Sequence, residues 1–354
     1  MDQILAQYQT SQSKRFAFMI IIILLLLLFV IIGTSLGSSR LSISDVAKAL
    51  VGIGNPTNTG IIWQIRLPRV LAAVMAGIAL AISGAVMQSI LKNPLGSSST
   101  LGISQAAAFG AAFAVIVLKA GTVQSSGSDA VLLNHPQLVS AIAFLFSLSA
   151  ALGILAISKY RGATSETMVL AGVAIGSLFS AGTTGLEYFA DDIQLAAVIF
   201  WTFGDLGRAM WRDFFVLTGV TVPACLYFIK NAWNYNALDI GDETAKSLGV
   251  DTDRLRIAGM VVATLATSVA VSLFGIIAFV GLIVPHITRR VIGSDERFLI
   301  PASALGGGLF LLVADTLART IIAPIVLPVG ILTSFTGAPL FLYLLVKGIR
   351  RKST

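Results

Sequence analysis

The sequence predicts an all-α polytopic membrane protein of about ten transmembrane helices. Three observations carry this: charge is scarce, apolar stretches recur along the chain, and Lys and Arg are unequally shared between alternate loops. Of the 354 residues, 56% are hydrophobic and only 12% are charged. Aqueous domains carry roughly 25% charged residues, so a water-soluble globule is excluded. The net charge of +7 clusters at the ends of apolar stretches, which assigns it to membrane topology and gives no reason to expect a nucleic-acid partner. The single Cys225 rules out an intrachain disulfide, and His135 and His286 lie too far apart in sequence to suggest a metal site.

Residues 1–15 form a polar tail ending in Lys14-Arg15. Phe16–Ile32 is unbroken apolar sequence and, with its flanks, reaches the roughly 20 residues that a span needs. It lacks the short core and small-residue cleavage site of a secretory signal, so it is read as an uncleaved first span. Ser42–Val51 predicts a short interfacial helix, followed by the turn-rich Gly52–Gly60. The second span, Val70–Ile90, is entered through Arg66-Leu67-Pro68-Arg69 and left through Lys92-Asn93-Pro94. Further spans are expected at 98–118, 138–158, 167–189, 213–230, 255–277, 279–292, 299–318 and 329–346. Residues 16–347 are thus one transmembrane domain, and 348–354 a second polar tail.

Ten spans place both termini on one side. With loops assigned alternately, sixteen of the 24 Lys and Arg residues fall on the terminal side and eight on the other. The positive-inside rule then puts both termini in the cytoplasm of a cell-membrane protein. Spans two to five and seven to ten begin on opposite sides, so two inverted four-span units are expected, a common construction for a transport path.

Two stripes of small residues stand out. Ala73, Gly77, Ala81 and Ala85 recur in the second span, and Gly172, Gly176, Ser180 and Thr184 in the fifth. Small side chains allow close backbone approach between lipid-embedded helices. They could equally form the smooth wall of a translocation path, for which the fifth span, with Thr183 beside its stripe, is the better candidate. Acids within the spans are few. Glu187 and Asp315 lie near span ends, and Asp315 is spaced to pair with Arg319 one turn on. No ion relay of the kind pumps keep in their bundles is visible. Pro285 is expected to bend the helix in Phe279–Arg290, where His286 reads as structural.

Leu238–Val250 is a charged interruption between apolar stretches and predicts a short amphipathic helix closed by Gly249. It is either a solvated loop or a docking element. It is no phosphate loop: Gly241-Asp242-Glu243-Thr244-Ala245-Lys246-Ser247 lacks the glycine before the lysine, and its acids would repel phosphate. If ATP drives this protein, another subunit must bind it.

From about Leu41 to Lys347 the chain resembles the permease family of type II ATP-binding-cassette importers for ferric siderophores, haem and cobalamin. The matching stretches are RLPR at 66–69, SGAVMQ at 83–88, NPL at 93–95 with Leu101-Gly102, and GDETAKSLG at 241–249. Later come FVGLIVPHITR at 279–289, ADTLAR at 314–319, LPVG at 327–330 and GAP at 337–339. The chain departs from many relatives at Gly96–Thr100 and Gln105–Ala108, near the expected inner mouth of the path.

The resemblance implies a homodimer whose path runs along the two-fold axis, two ATPase subunits docked inside and a solute-binding protein outside. It matches Gly241, Asp242, Glu243, Thr244, Ala245, Lys246, Ser247, Leu248 and Gly249 to the coupling helices that meet the ATPase. It matches Arg66, Arg69 and Arg319 to outward arginines that meet acids of the binding protein. It implies no catalytic residue, metal or cofactor in this chain, with ATP and Mg on the partner ATPase. Ferric siderophore is the expected cargo, with cobalamin, haem and molybdate as alternatives. A secondary transporter would instead follow an ion gradient, and an intramembrane enzyme would need a catalytic side-chain set that the spans do not display.

Overall fold

The computed structural model describes residues 2–37, 41–120, 135–161 and 164–350. Arg40, Arg351 and Lys352 of the charge count, and most of the expected tail at 348–354, lie outside them. The helices are α1 (Asp2–Ser35), α2 (Ile43–Leu50), α3 (Pro56–Gly60), α4 (Leu67–Ile90), α5 (Ile103–Ile116), α6 (Pro136–Arg161), α7 (Ser165–Tyr188) and α8 (Asp192–Thr202). They continue with α9 (Trp211–Lys230), α10 (Ala232–Ile240), α11 (Asp242–Ser247), α12 (Thr252–Phe274), α13 (Val280–Ile292), α14 (Glu296–Thr320) and α15 (Val329–Arg350). A π-helical stretch, Ile61–Arg66, joins α3 to α4.

Seven of the helical runs are long and apolar enough to cross a membrane: α1, the continuous run Pro56–Ile90, α6, α7, α9, α12 and α14. The short α5 and α13, together with α15, occupy the other three positions where spans are expected. Local chemistry sets many of the ends. Thr164 caps α7 by accepting the Thr167 N–H, and Asp251 caps α12 by accepting that of Arg254. Gly275 and Gly293, at φ +78° and +88°, close α12 and α13 in the left-handed region that favours glycine. The short α3 and α10 and the longer α8 were not expected. The α8 helix opens on a reciprocal cap in which Asp191 accepts the Gln194 N–H and the Gln194 side chain accepts the Asp191 N–H.

The inverted repeat is visible in helix lengths. α4 to α7 have 24, 14, 26 and 24 residues, and α12 to α15 have 23, 13, 25 and 22. Each short second helix is preceded by a left-handed residue, Gly102 at φ +74° and Phe279 at φ +68°. The halves interlock: α4 packs on α14, and its counterpart α12 packs on α6, the counterpart of α14.

At the centre lies α4, buried along nearly its whole length from Pro68 to Ile90. Its neighbours are α14, α12, α13 and α9. Ala73, Ala81 and Ala85 are fully enclosed, so the small-residue stripe of the second span is a helix seam. A side chain at Gly77 would overlap the Gly307 carbonyl of α14, and one at Gly84 the Gly281 carbonyl of α13. Backbone-to-backbone contact at this range is available only where both surfaces lack Cβ atoms.

Candidate coupling, docking and path sites

At one end of the bundle, α10 and α11 meet at Gly241, whose φ of +147° falls in backbone space that L side chains rarely adopt. The six-residue α11 ends with the Gly249 N–H donating to Lys246 O and the Val250 N–H reaching back to Ala245 O. Gly249 itself sits at φ +82°, so the expected glycine closure of this helix is present. Ala245 is fully buried and anchors the inner face, while Glu243, Thr244, Lys246, Ser247 and Leu248 are exposed.

Asp242 pins this tip to the bundle. It accepts from Lys92 Nζ at 2.6 Å and from Arg256 Nη2 at 2.8 Å, so one carboxylate ties α11 to the end of α4 and the start of α12. Partial burial opposes its ionisation, but Arg256 and Lys92 outweigh that and hold the carboxyl below its usual range. Beside it opens a crevice of about 750 Å³ lined in part by Lys92, Asn93, Ser165, Glu166, Asp242 and Arg256. Beneath the tip, Asn236 of α10 donates to Asp295 Oδ1 and accepts the Glu296 N–H at 2.7 Å, fixing α10 on the start of α14. Ile240 and Leu248 flank α11 at 71% and 65% exposure. Ile240 falls outside the expected 241–249 site. Its signal was an isoleucine directly before a hinge glycine in an otherwise polar segment.

At the opposite end, the arginines expected to face outward lie turned inward in the fold. Arg66, Arg69 and Arg319 are only 4%, 9% and 6% exposed. Arg69 grips the fully enclosed Asp315 through Nε at 3.0 Å and Nη2 at 2.7 Å. Arg319 Nε lies 3.1 Å from the same carboxylate, so the expected Asp315–Arg319 pair is present as part of a triad. Arg66 donates to the Thr34 and Ser35 carbonyls, and Arg319 to those of Gly33 and Leu36. The physical reason is the end of α1: its last carbonyls have no intrahelical donor, and the guanidinium forks supply them.

The fifth-span stripe divides in two. Gly172 and Gly176 are buried, and a Cβ at either would press on the backbone of Leu101 or Gly102. That half of α7 is a seam with the loop before α5. Ser180 and Thr184 are exposed and Thr183 is half-buried, with the threonine hydroxyls donating back to Phe179 O and Ser180 O. The split follows from geometry: each step of four residues advances about 40° around an α-helix, so the stripe turns by about 120° between Gly172 and Thr184.

A glycine-seamed bundle of apolar helices with polar clamps at both ends is the fold of a multi-span membrane protein. Sequence and structure comparisons narrow the class. The chain belongs to the FecCD transport family, which it matches over residues 24–347. It is 53% identical to a protein of Methanocaldococcus jannaschii named as an ABC transporter permease, with 98% of each chain covered. It is 36% identical to the hemin transport system permease protein of Yersinia pestis, over 92% of this chain and 95% of that protein. The cobalamin import system permease protein of Halobacterium salinarum is 38% identical, with 89% and 81% covered. Among solved structures, an inward-facing conformation of a transporter described as of the metal-chelate ABC type superposes with a TM-score of 0.80 at 27% identity, covering 93% of this chain and 98% of that one.

Proposed function

We propose that this chain is the transmembrane subunit of an ATP-driven importer that carries a metal chelate, with ferric siderophore as cargo, into the cytoplasm by alternating access. Two copies enclose the path, two separate ATPase subunits with ATP and Mg dock on the α11 side, and a solute-binding protein delivers cargo on the other. The α11 end and both termini then face the cytoplasm.

One observation carries this reading. The α11 helix is exposed on its outer face, bounded by two positive-φ glycines, and tied by Asp242 to α4 and α12. A push on such a tip reaches the first helix of each repeat. The apolar pair Ile240 and Leu248, with Glu243 between them, offers an ATPase a surface to grip. Docking of the binding protein belongs to the loop surface around the arginine triad, which the three side chains shape from within. Ser180, Thr183 and Thr184, on the open half of α7, are the path-lining residues of this proposal. The relatives named for hemin and cobalamin keep those cargoes as the alternatives within the same class.

The test is reconstitution in liposomes with the partner ATPase and binding protein. Uptake of ferric siderophore that needs ATP and stops with vanadate is expected. Uptake that persists without the ATPase and follows an ion gradient overturns the reading.

A further inference from the structure

Next to the coupling tip lies a group of side chains that neither docking nor path uses. Ser89, at the end of α4, is 3% exposed. Its Oγ lies 2.8 Å from Asp239 Oδ1 of α10 and 2.9 Å from Glu296 Oε1 of α14. A hydroxyl has one hydrogen and donates it to one oxygen. At the second short contact, hydrogen must come from the carboxyl, so one acid carries a proton.

The surroundings of Glu296 agree. Glu296 has no exposed surface, and its Oε2 is enclosed without an N–H or O–H donor among the described residues. A bare carboxylate oxygen sealed from water is costly unless it is neutralised. Asp239 and Glu296 are also held against the same hydroxyl, where two ionised carboxylates would repel each other.

We propose that Asp239, Ser89 and Glu296 form a proton-binding site that holds one proton at the joint between the α10–α11 tip and the α4–α14 pair. Asp239, exposed at the surface, is the port, and the enclosed Glu296 is the inner acid. The surrounding charges are placed to permit this and not to replace it. Arg289 of α13 spends its short contact on Gln88 Oε1 at 2.9 Å and reaches Glu296 Oε1 only at 3.5 Å. Lys92 is committed to Asp242, and Asp295 is occupied by Arg297, Arg15 and Asn236. From α10, Tyr235 faces Glu296 as a further weak acid. Losing the proton would set two negative charges about a single hydroxyl, two residues from the Gly241 hinge. The link from protonation to the coupling tip rests on the function proposed above; the proton site itself does not.

The test is infrared spectroscopy of the full chain in lipid nanodiscs, titrated through neutral pH in water and in heavy water. A protonated-carboxyl carbonyl band that shifts on deuteration is expected near neutral pH. It is lost in Asp239→Asn, whose carboxamide gives Glu296 a hydrogen that does not titrate, and in Glu296→Gln. Absence of the band from the parent overturns the proposal, as does a band that survives in whichever of the two variants folds. With the partner ATPase added, the ratio of parent to Asp239→Asn stimulation is expected to change with pH, by up to about tenfold per pH unit for one proton. A ratio constant with pH overturns the link to coupling. An ATPase indifferent to deletion of α11 overturns the coupling reading and leaves the infrared result standing.

Discussion

Asp315→Ala is expected to be among the most damaging single substitutions in this protein. The carboxylate has no exposed surface and faces two guanidinium groups. Arg69 directs all three of its hydrogen bonds to it. Removing one partner of a buried ion pair costs about 3–5 kcal/mol because the survivor remains charged and enclosed. Here the survivor is Arg69, whose hydrogen bonds among the described residues all go to Asp315. A cost in that range raises the unfolding equilibrium constant by roughly two to four orders of magnitude. Arg319→Ala is expected to cost less, about 1–3 kcal/mol, because Asp315 keeps Arg69 and the loss falls on the Gly33 and Leu36 carbonyls. The assay is reversible unfolding of purified protein in mixed micelles, with Arg69→Ala/Asp315→Ala completing a double-mutant cycle whose combined cost should fall below the sum of the singles. Asp315→Ala within about 1 kcal/mol of the parent, or Arg319→Ala equally harmful, refutes the reasoning.

Other predictions follow from the same geometry. Arg66→Glu with Arg69→Glu is expected to reduce the yield of folded protein before any effect on binding-protein docking, as measured by size-exclusion recovery against affinity; normal recovery with weakened docking would restore an outward role for these side chains. Gly84→Ala, which drives a methyl into the Gly281 carbonyl, should destabilise by about 1–3 kcal/mol or more, whereas Gly185→Ala, which meets open space, should leave the melting temperature unchanged. Glu243→Lys, or deletion within 241–249, should leave the chain folded and abolish ATP-driven import, and import at the parental rate would remove α11 from the mechanism. Hydrogen bonds from Arg297 hold Asp295 down to about 2 against partial burial. Its folded-state value is thus depressed, so its stabilising contribution is complete above about pH 4, the unfolded value, and is lost as pH falls through about 2. Acid unfolding followed by the fluorescence of Trp233, which stacks on Arg297 at 4.0 Å, should show that loss in the parent and not in Asp295→Asn.

The span pattern was legible because apolar length and loop charge act locally along the chain. Gly249 as a helix closure was legible for the same reason, since a left-handed cap favours a residue without Cβ. The α8 helix was missed although its signal was present: Asp191 and Gln194 stand three apart before an apolar run, which is the capping signature. The direction of the arginines was not legible. RLPR and ADTLAR read alike whether their guanidinium groups face a partner or the frayed end of α1, because the deciding acceptors are carbonyls of residues 33–36. The division of the α7 stripe was hidden for a different reason. Residue size shows that something can approach closely, but whether that is Gly102 or open space is set by the loop before α5. Likewise Ser89, Asp239 and Glu296 come from three separate helices, and no spacing in the sequence announces their meeting.

The α4–α14 pair has a mechanical consequence. These antiparallel helices are fastened at one end by Arg69 and Asp315, in the middle by Gly77 against Gly307, and at the other end by Ser89 and Glu296. Such a beam resists sliding. The shortest slip that restores side-chain packing is one helical turn, about 5.4 Å, and it would break both end fastenings at once while driving side chains into the glycine notch. The beam must therefore travel as a rigid unit. In the alternating access proposed above, the bending that opens one mouth and shuts the other would fall to the helices packed around a strut that keeps its length.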